Sequence, residues 1–110
     1  MSGKTLFKLD DIESGDSTGL TAEVNGTLRM LLAVRKGNEV FVYINSCPHI
    51  GTPLDFHVGK FLCPDKKYIL CSTHGALFEI ENGRCISGPC QYANLEVVPV
   101  TIEDGDVIMA

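Results

Sequence analysis

The apolar positions of this chain fall in short runs with a period near two, separated by polar turns. Leu28, Met30, Leu32 and Val34 alternate with Arg29, Leu31, Ala33 and Arg35, which predicts a strand. Val40-Phe41-Val42-Tyr43-Ile44 is a continuous β-branched and aromatic run and reads as a strand. Tyr68–Leu70, Leu77–Ile80, Leu95–Val100 and Val107–Ile108 read as further strands. Asn25-Gly26, Lys36-Gly37-Asn38, Asn82-Gly83 and Asp104-Gly105 sit between these runs. Such pairs favour the positive-φ turns that match strand twist, so each is a hairpin candidate. No stretch of twelve residues carries a capped helical stripe. The pattern predicts an all-β chain, an antiparallel β-sandwich or small barrel, with residues 10–19 as a long polar loop.

Composition narrows this picture. A chain of 110 residues with 45% hydrophobic content is expected to form a single domain, 1–110, with a real core. The formal net charge of −5 argues against a nucleic-acid partner, which needs clustered cations, and Asp65 dilutes Lys60, Lys66 and Lys67. No apolar run is long enough to span a membrane. Met1-Ser2-Gly3-Lys4 opens neither a secretory signal nor a twin-arginine signal, so a cytoplasmic location is expected. Structural disulfides are disfavoured there. The five cysteines therefore read first as metal ligands and thiols.

Two short motifs concentrate the chemistry. Cys47-Pro48-His49 and Cys71-Ser72-Thr73-His74 each supply one thiolate and one imidazole, and each is followed by a glycine within two residues. Both lie at predicted strand ends, where two loops at one end of a sandwich can converge. Thiolate and imidazole donors suit zinc or an iron–sulfur cluster, not calcium or magnesium. Zinc Cys₂His₂ sites usually pair Cys with Cys and His with His. Here each motif is mixed, and two residues apart is tight for two ligands of one zinc. In a Rieske [2Fe–2S] centre two Cys hold one iron and two His the other, which accommodates this spacing. Zinc remains the alternative. Pro48 stiffens its loop, and Gly51 and Gly75 allow close backbone approach.

Cys47-Pro48-His49-Ile50-Gly51, Cys71-Ser72-Thr73-His74-Gly75-Ala76-Leu77-Phe78 and Ser87-Gly88-Pro89 together resemble the Rieske-type ferredoxin family, over about Leu6 to Met109. The nearest resemblance is to the ferredoxin components of ring-hydroxylating dioxygenases. It implies a Rieske fold of three antiparallel sheets with a two-loop cluster-binding subdomain, and one [2Fe–2S] cluster. Cys47 and Cys71 would hold the inner iron, His49 and His74 the outer one, with Gly88-Pro89 in a third loop over the cluster. The 21 residues between His49 and Cys71 are a few more than in those ferredoxins and read as a longer hairpin around 61–68. The disulfide of cytochrome bc-type members is absent, since Thr52 and Thr73 occupy its positions. High-potential members place Ser two residues and Tyr four residues after the second ligand His. Ala76 and Phe78 stand there, which implies a potential on the order of −150 mV.

The resemblance implies a soluble low-potential one-electron carrier rather than an enzyme. It is expected to be a monomer meeting a flavoprotein reductase and an oxygenase transiently, with Ile50, Pro53, Leu54 and Pro89 as candidates for a docking patch and packing under the cluster loops as the alternative, equally for Pro53 and Leu54. The alternatives are a small subunit of a larger oxidoreductase, such as NADH-dependent nitrite reductase, and a redox sensor. Length excludes a complete Rieske oxygenase. Cys85 and Cys90 are either a redox or structural pair or buried thiols, and the second reading is favoured, as it is for Cys63. His57 is expected to cap a loop or face solvent, and Phe56, Phe61 and Phe78 to be core.

Overall fold

Four polar turns fold the predicted strands back on their neighbours. The computed structural model describes residues 5–24, 26–46, 62, 67–71, 76–88 and 94–109, with Cys71 described in its backbone alone. The strands are β1 (Thr5–Lys8), β2 (Ser17–Val24), β3 (Thr27–Lys36), β4 (Glu39–Ile44), β5 (Tyr68–Cys71), β6 (Ala76–Glu79), β7 (Cys85–Ser87), β8 (Val100–Glu103) and β9 (Asp106–Met109). They form three antiparallel sheets in the orders β1-β9-β8, β2-β3-β4 and β5-β6-β7. Pairing of Val24 with Thr27, Lys36 with Glu39 and Glu103 with Asp106 closes three two-residue hairpins at the expected turns. In the last, Asp104 and Gly105 take φ of 52° and 81°, the left-handed pair that such a turn requires. Asn82-Gly83 lies in the β6–β7 connection, also as expected.

The β2-β3-β4 sheet is the middle layer, and period two sorts its side chains between two cores. Leu32, Val34 and Tyr43 face β5-β6-β7 and pack with Ile69, Ala76, Phe78, Ile80, Cys85 and Leu95. Leu31, Ala33, Val40, Val42 and Ile44 face the other way, towards Leu9, Ile12, Val98 and Val107. Leu31 to Val34 are all fully buried for this reason.

Two expectations need correction, and β3, a strand as expected, is covered along only half its length: Leu28 is 71% and Met30 51% exposed. β4 pairs with β3 only as far as Leu31↔Ile44, so the Thr27–Met30 half of β3 is a two-stranded ribbon with β2. Residues 10–19 are not one loop: a 3₁₀ turn covers Leu9–Asp11 and β2 begins at Ser17. Register along the whole of β3 recruits this polar stretch into the sheet. Leu95–Val100 is not a continuous strand. Pro99 cannot donate a ladder hydrogen bond. The segment instead touches β4 through a Tyr43↔Val97 bridge, with Ile44 N–H donating to Glu96 O and Val98 N–H to Val42 O, both at 2.9 Å. β7, with three residues, is too short to announce itself by periodicity.

Candidate metal centre

β4 delivers the first motif. Its last residue is Ile44; Asn45 N–H then donates to Met30 O at 2.8 Å and Ser46 N–H to Ile44 O at 2.9 Å. These bonds tie the chain to the middle sheet immediately before Cys47. The second motif spans the β5–β6 hairpin, where Cys71 pairs with Ala76 and leaves residues 72–75 as the connection. Cys47, His49 and His74 lie outside the described residues, and Cys71 is fixed as the last residue of β5. Ile50, Gly51, Pro53, Leu54, Phe56, His57, Phe61, Cys63, Gly75, Pro89 and Cys90 also lie outside them.

The described flanks establish where the two motif segments leave the sheets. The Tyr43 hydroxyl donates to Ile80 O at 2.5 Å, and Glu81 ion-pairs with Lys36 beside the β3–β4 turn. The Glu79 end of β6 therefore points to that turn, which we term the base. The Ala76 end points the other way, the direction in which β4 runs. Both motif segments thus leave their sheets at the end opposite the base.

A third segment packs against the second. Gly88 has φ of 99°, and a Cβ there would come within 2.7 Å of Ala76 Cα and 3.2 Å of Ala76 N. Only glycine lets the chain after β7 lie on the backbone that leaves the second motif. A β-bulge prepares this approach: Phe78 pairs with Cys85 but Leu77 with Ser87, so Ile86 is an extra residue. Gly83 plays a similar part nearer the base, where a Cβ would meet the Tyr43 ring at 2.8 Å. Sequence reading flagged Gly83 as a turn residue and Gly88 only through the family resemblance. Neither close contact has a local signature.

Tyr43 is 1% exposed, and burial, with Glu81 nearby, pushes its hydroxyl up to about 12. It remains a neutral donor that ties the middle sheet to β6. Phe78 is fully buried, as expected of a core residue. Cys85 is 5% exposed and its Sγ donates to Ser87 O at 3.4 Å, in keeping with the packing reading. Leu62 pairs with Ile69 and packs partly against the same core, while residues 61 and 63–66 of the expected hairpin lie outside the described residues.

Charge is unevenly spread. Leu9 N–H donates to Gly105 O at 2.8 Å and joins the Asp10–Asp16 loop to the β8–β9 turn. Arg35 Nη1 donates to Ile12 O at 2.8 Å and Leu9 O at 3.2 Å and pins that loop to the base. The base thus gathers Asp10, Asp11, Glu13, Asp16, Glu39, Glu79, Glu81, Glu103, Asp104 and Asp106 against Lys8, Arg35, Lys36 and Arg84. Ten carboxylates against four cations give −6 there, against −5 for the whole sequence.

A family model, the Rieske [2Fe-2S] domain, matches residues 4–101. The chain belongs to this family. Its sheets superpose on the ferredoxin of carbazole 1,9a-dioxygenase from Nocardioides aromaticivorans IC177, with a TM-score of 0.76 at 22% identity, covering 100% of this chain and 98% of that one. The Sphingomonas yanoikuyae B1 ferredoxin gives 0.73 at 28% identity, covering 97% and 96%. A putative small subunit of an NADPH nitrite reductase gives 0.71 at 16% identity, covering 100% and 99%. At 22% and 16% identity the likeness establishes the fold alone. No curated protein matches the sequence.

Membership of the family implies one [2Fe–2S] cluster, and this Rieske domain fits it. The sequence offers two thiolates and two imidazoles in mixed pairs, the donor set such a cluster takes. The motif segments leave the sheets at one end, and the Gly88 contact brings a third segment there. Among the described residues no group of three or more His, Cys, Asp or Glu competes for a metal.

Proposed function

We propose that this Rieske domain is a soluble, low-potential one-electron carrier. The cluster supplies a site that gains and loses a single electron. Cys47 and Cys71 would hold one iron of the cluster, and His49 and His74 the other. The carrier acts as a single cytoplasmic domain and not as an enzyme, taking electrons from a flavoprotein reductase and passing them to an oxygenase. The observation that carries this reading is the near-complete mutual coverage with free-standing ferredoxins, one at 28% identity. Structures of ferredoxin–oxygenase complexes among the similar proteins support the oxygenase as acceptor. Among the described residues no helix is long and apolar enough to cross a membrane.

The low potential follows from what the chain lacks. Hydroxyl hydrogen bonds to a cluster or its thiolates stabilise the reduced state and raise the potential. Ala76 and Phe78, both fully buried, offer none. Protein-film voltammetry is expected to give a midpoint on the order of −150 mV, and Ala76→Ser with Phe78→Tyr to raise it. A wild-type midpoint well above zero at neutral pH would remove the low-potential reading.

A role as the small subunit of a nitrite reductase is the second reading, supported by the shared fold of that subunit. Purification with a stable large subunit favours it; purification alone, with electron delivery to an oxygenase, favours the carrier.

A further inference from the structure

Polar and apolar burial are inverted where β4 ends. Asn45 continues the β3–β4 register by one step, opposite Met30, and its N–H donates to Met30 O at 2.8 Å. Met30 is 51% exposed at this level, yet Asn45 is only 6% exposed. Among the described residues Asn45 is the one buried side chain that is not hydrophobic. An exposed methionine is ordinary surface, but an amide withdrawn from water calls for a cause. Burying an amide is costly unless its donors and acceptor are bonded. Asn45 does not lack a partner there.

The backbone at Asn45 is fixed as well. Ser46 N–H donates to Ile44 O at 2.9 Å, which closes a three-residue turn with Asn45 at its centre. The φ of Asn45 is not positive, so this is the inverse γ-turn common at strand ends. The strand is therefore turned at a single residue, two positions before Cys47. Strand alternation puts Asn45 on the face of Leu32 and Tyr43, which packs against β5-β6-β7. That sheet carries the second motif at the Cys71–Ala76 end of the β5–β6 hairpin. Asn45 thus stands where the first motif leaves its sheet, on the side of the sheet that bears the second.

We propose that Asn45 is a positioning residue for the metal centre. Its buried amide fixes the turn at the end of β4 and so aims the Cys47 segment at the ligands of the second motif. It is not a ligand and acts through Cys47. This rests on the ligand set proposed above. A ligand two residues beyond a preset turn needs less ordering when the cluster is inserted, as outer groups do for other metal sites.

The test pairs Asn45→Leu, which keeps the volume and removes the amide, with Tyr43→Phe, which removes a buried hydrogen bond two residues nearer the base. Electron paramagnetic resonance of reduced wild-type protein comes first. Without a mixed-ligand [2Fe–2S] signal the ligand set falls, and this proposal with it. With that signal present, Asn45→Leu is expected to shift or broaden the g values and to lose iron to a chelator about 10–100-fold faster than wild type. A variant that takes up no cluster while its sheets stay folded is the same result carried further. Tyr43→Phe is expected to keep the wild-type g values. If Asn45→Leu also keeps them, and loses iron no faster than Tyr43→Phe, Asn45 serves the core alone; the proposal is overturned and the ligand set stands. Hydrogen exchange on wild-type apoprotein supplies a check that needs no variant. The Asn45 and Ser46 amides are expected to be protected with those of Val40–Ile44. Exchange there as fast as at 47–54 would show that the turn is not preset, and overturns the proposal whether or not Asn45→Leu folds.

Discussion

The two ends of this molecule are built on different physics. At the base, the middle sheet is covered on both faces: Leu31, Ala33, Val40 and Val42 pack one way, Leu32, Val34 and Tyr43 the other. Two-residue turns, an arginine bonded to two loop carbonyls and a buried tyrosine hydroxyl tie it together. At the metal end the described contacts are few and close, above all Gly88 on Ala76. There the proposed ligands, not apolar area, are expected to hold the segments together. A base that folds on its own can present donors whose geometry is completed by the metal, which is how metal binding becomes partly folding energy.

The largest expected effect breaks the two ends apart. Replacing Cys71 or His74 with Ala should abolish cluster incorporation while leaving the β2-β3-β4 sheet folded. Hydrogen exchange on apoprotein should show protection through Val40–Ile44 and rapid exchange at 47–54 and 71–76. Uniform protection of both regions would mean that the two ends are not independent.

Leu32→Ala attacks the base instead. It empties a fully buried site between two sheets and should cost about 2–5 kcal/mol. Denaturant unfolding should record a similar loss in apoprotein and holoprotein. A loss confined to holoprotein would place Leu32 in the metal end's energetics.

Gly88→Ala should behave in the opposite manner. Its Cβ would press on Ala76 backbone, and its φ of 99° is strained for alanine. Strain of this kind costs about 1–3 kcal/mol. It falls on the seating of the third segment, so iron loss to a chelator should accelerate more than the apoprotein is destabilised.

The smallest effect sharpens the tie between the ends. Tyr43 is raised from its unfolded value of 10.0 to about 12. The folded protein keeps this proton where the unfolded chain has lost it, so stability should fall as pH rises from about 10 through about 12. Tyr43→Phe should flatten that slope. At neutral pH it should cost about 1–3 kcal/mol, since Ile80 O is left buried without its donor. An alkaline unfolding curve unchanged in Tyr43→Phe would remove this hydroxyl from the account.

What the sequence made legible follows the same division. Three of the four turns were readable from Asn-Gly or Asp-Gly, and the fourth from Gly37-Asn38, since these residues tolerate the backbone angles that tight turns need. Val40–Ile44 was readable because a strand covered on both faces leaves an unbroken apolar run. The exposed half of β3 was not, since Leu28 and Met30 continue the alternation of Leu32 and Val34. Only the end of β4 at Ile44 reveals that the cover stops. Leu95–Val100 failed for a related reason: an apolar run can line a sheet edge through isolated bridges without extending the ladder. In the site, Cys47, His49, Cys71 and His74 are proposed from residue type and spacing, and their side chains lie outside what the structure describes. The Gly88–Ala76 and Gly83–Tyr43 contacts join residues distant in the chain and leave no local trace.

The central claim is a two-iron cluster held by two thiolates and two imidazoles. Electron paramagnetic resonance of dithionite-reduced protein tests it most directly. The account predicts a rhombic signal with an average g below that of all-cysteine clusters, lost in each of Cys47→Ala, His49→Ala, Cys71→Ala and His74→Ala. Stoichiometric zinc without iron in freshly prepared protein, or a fully occupied cluster in His49→Ala, would contradict it.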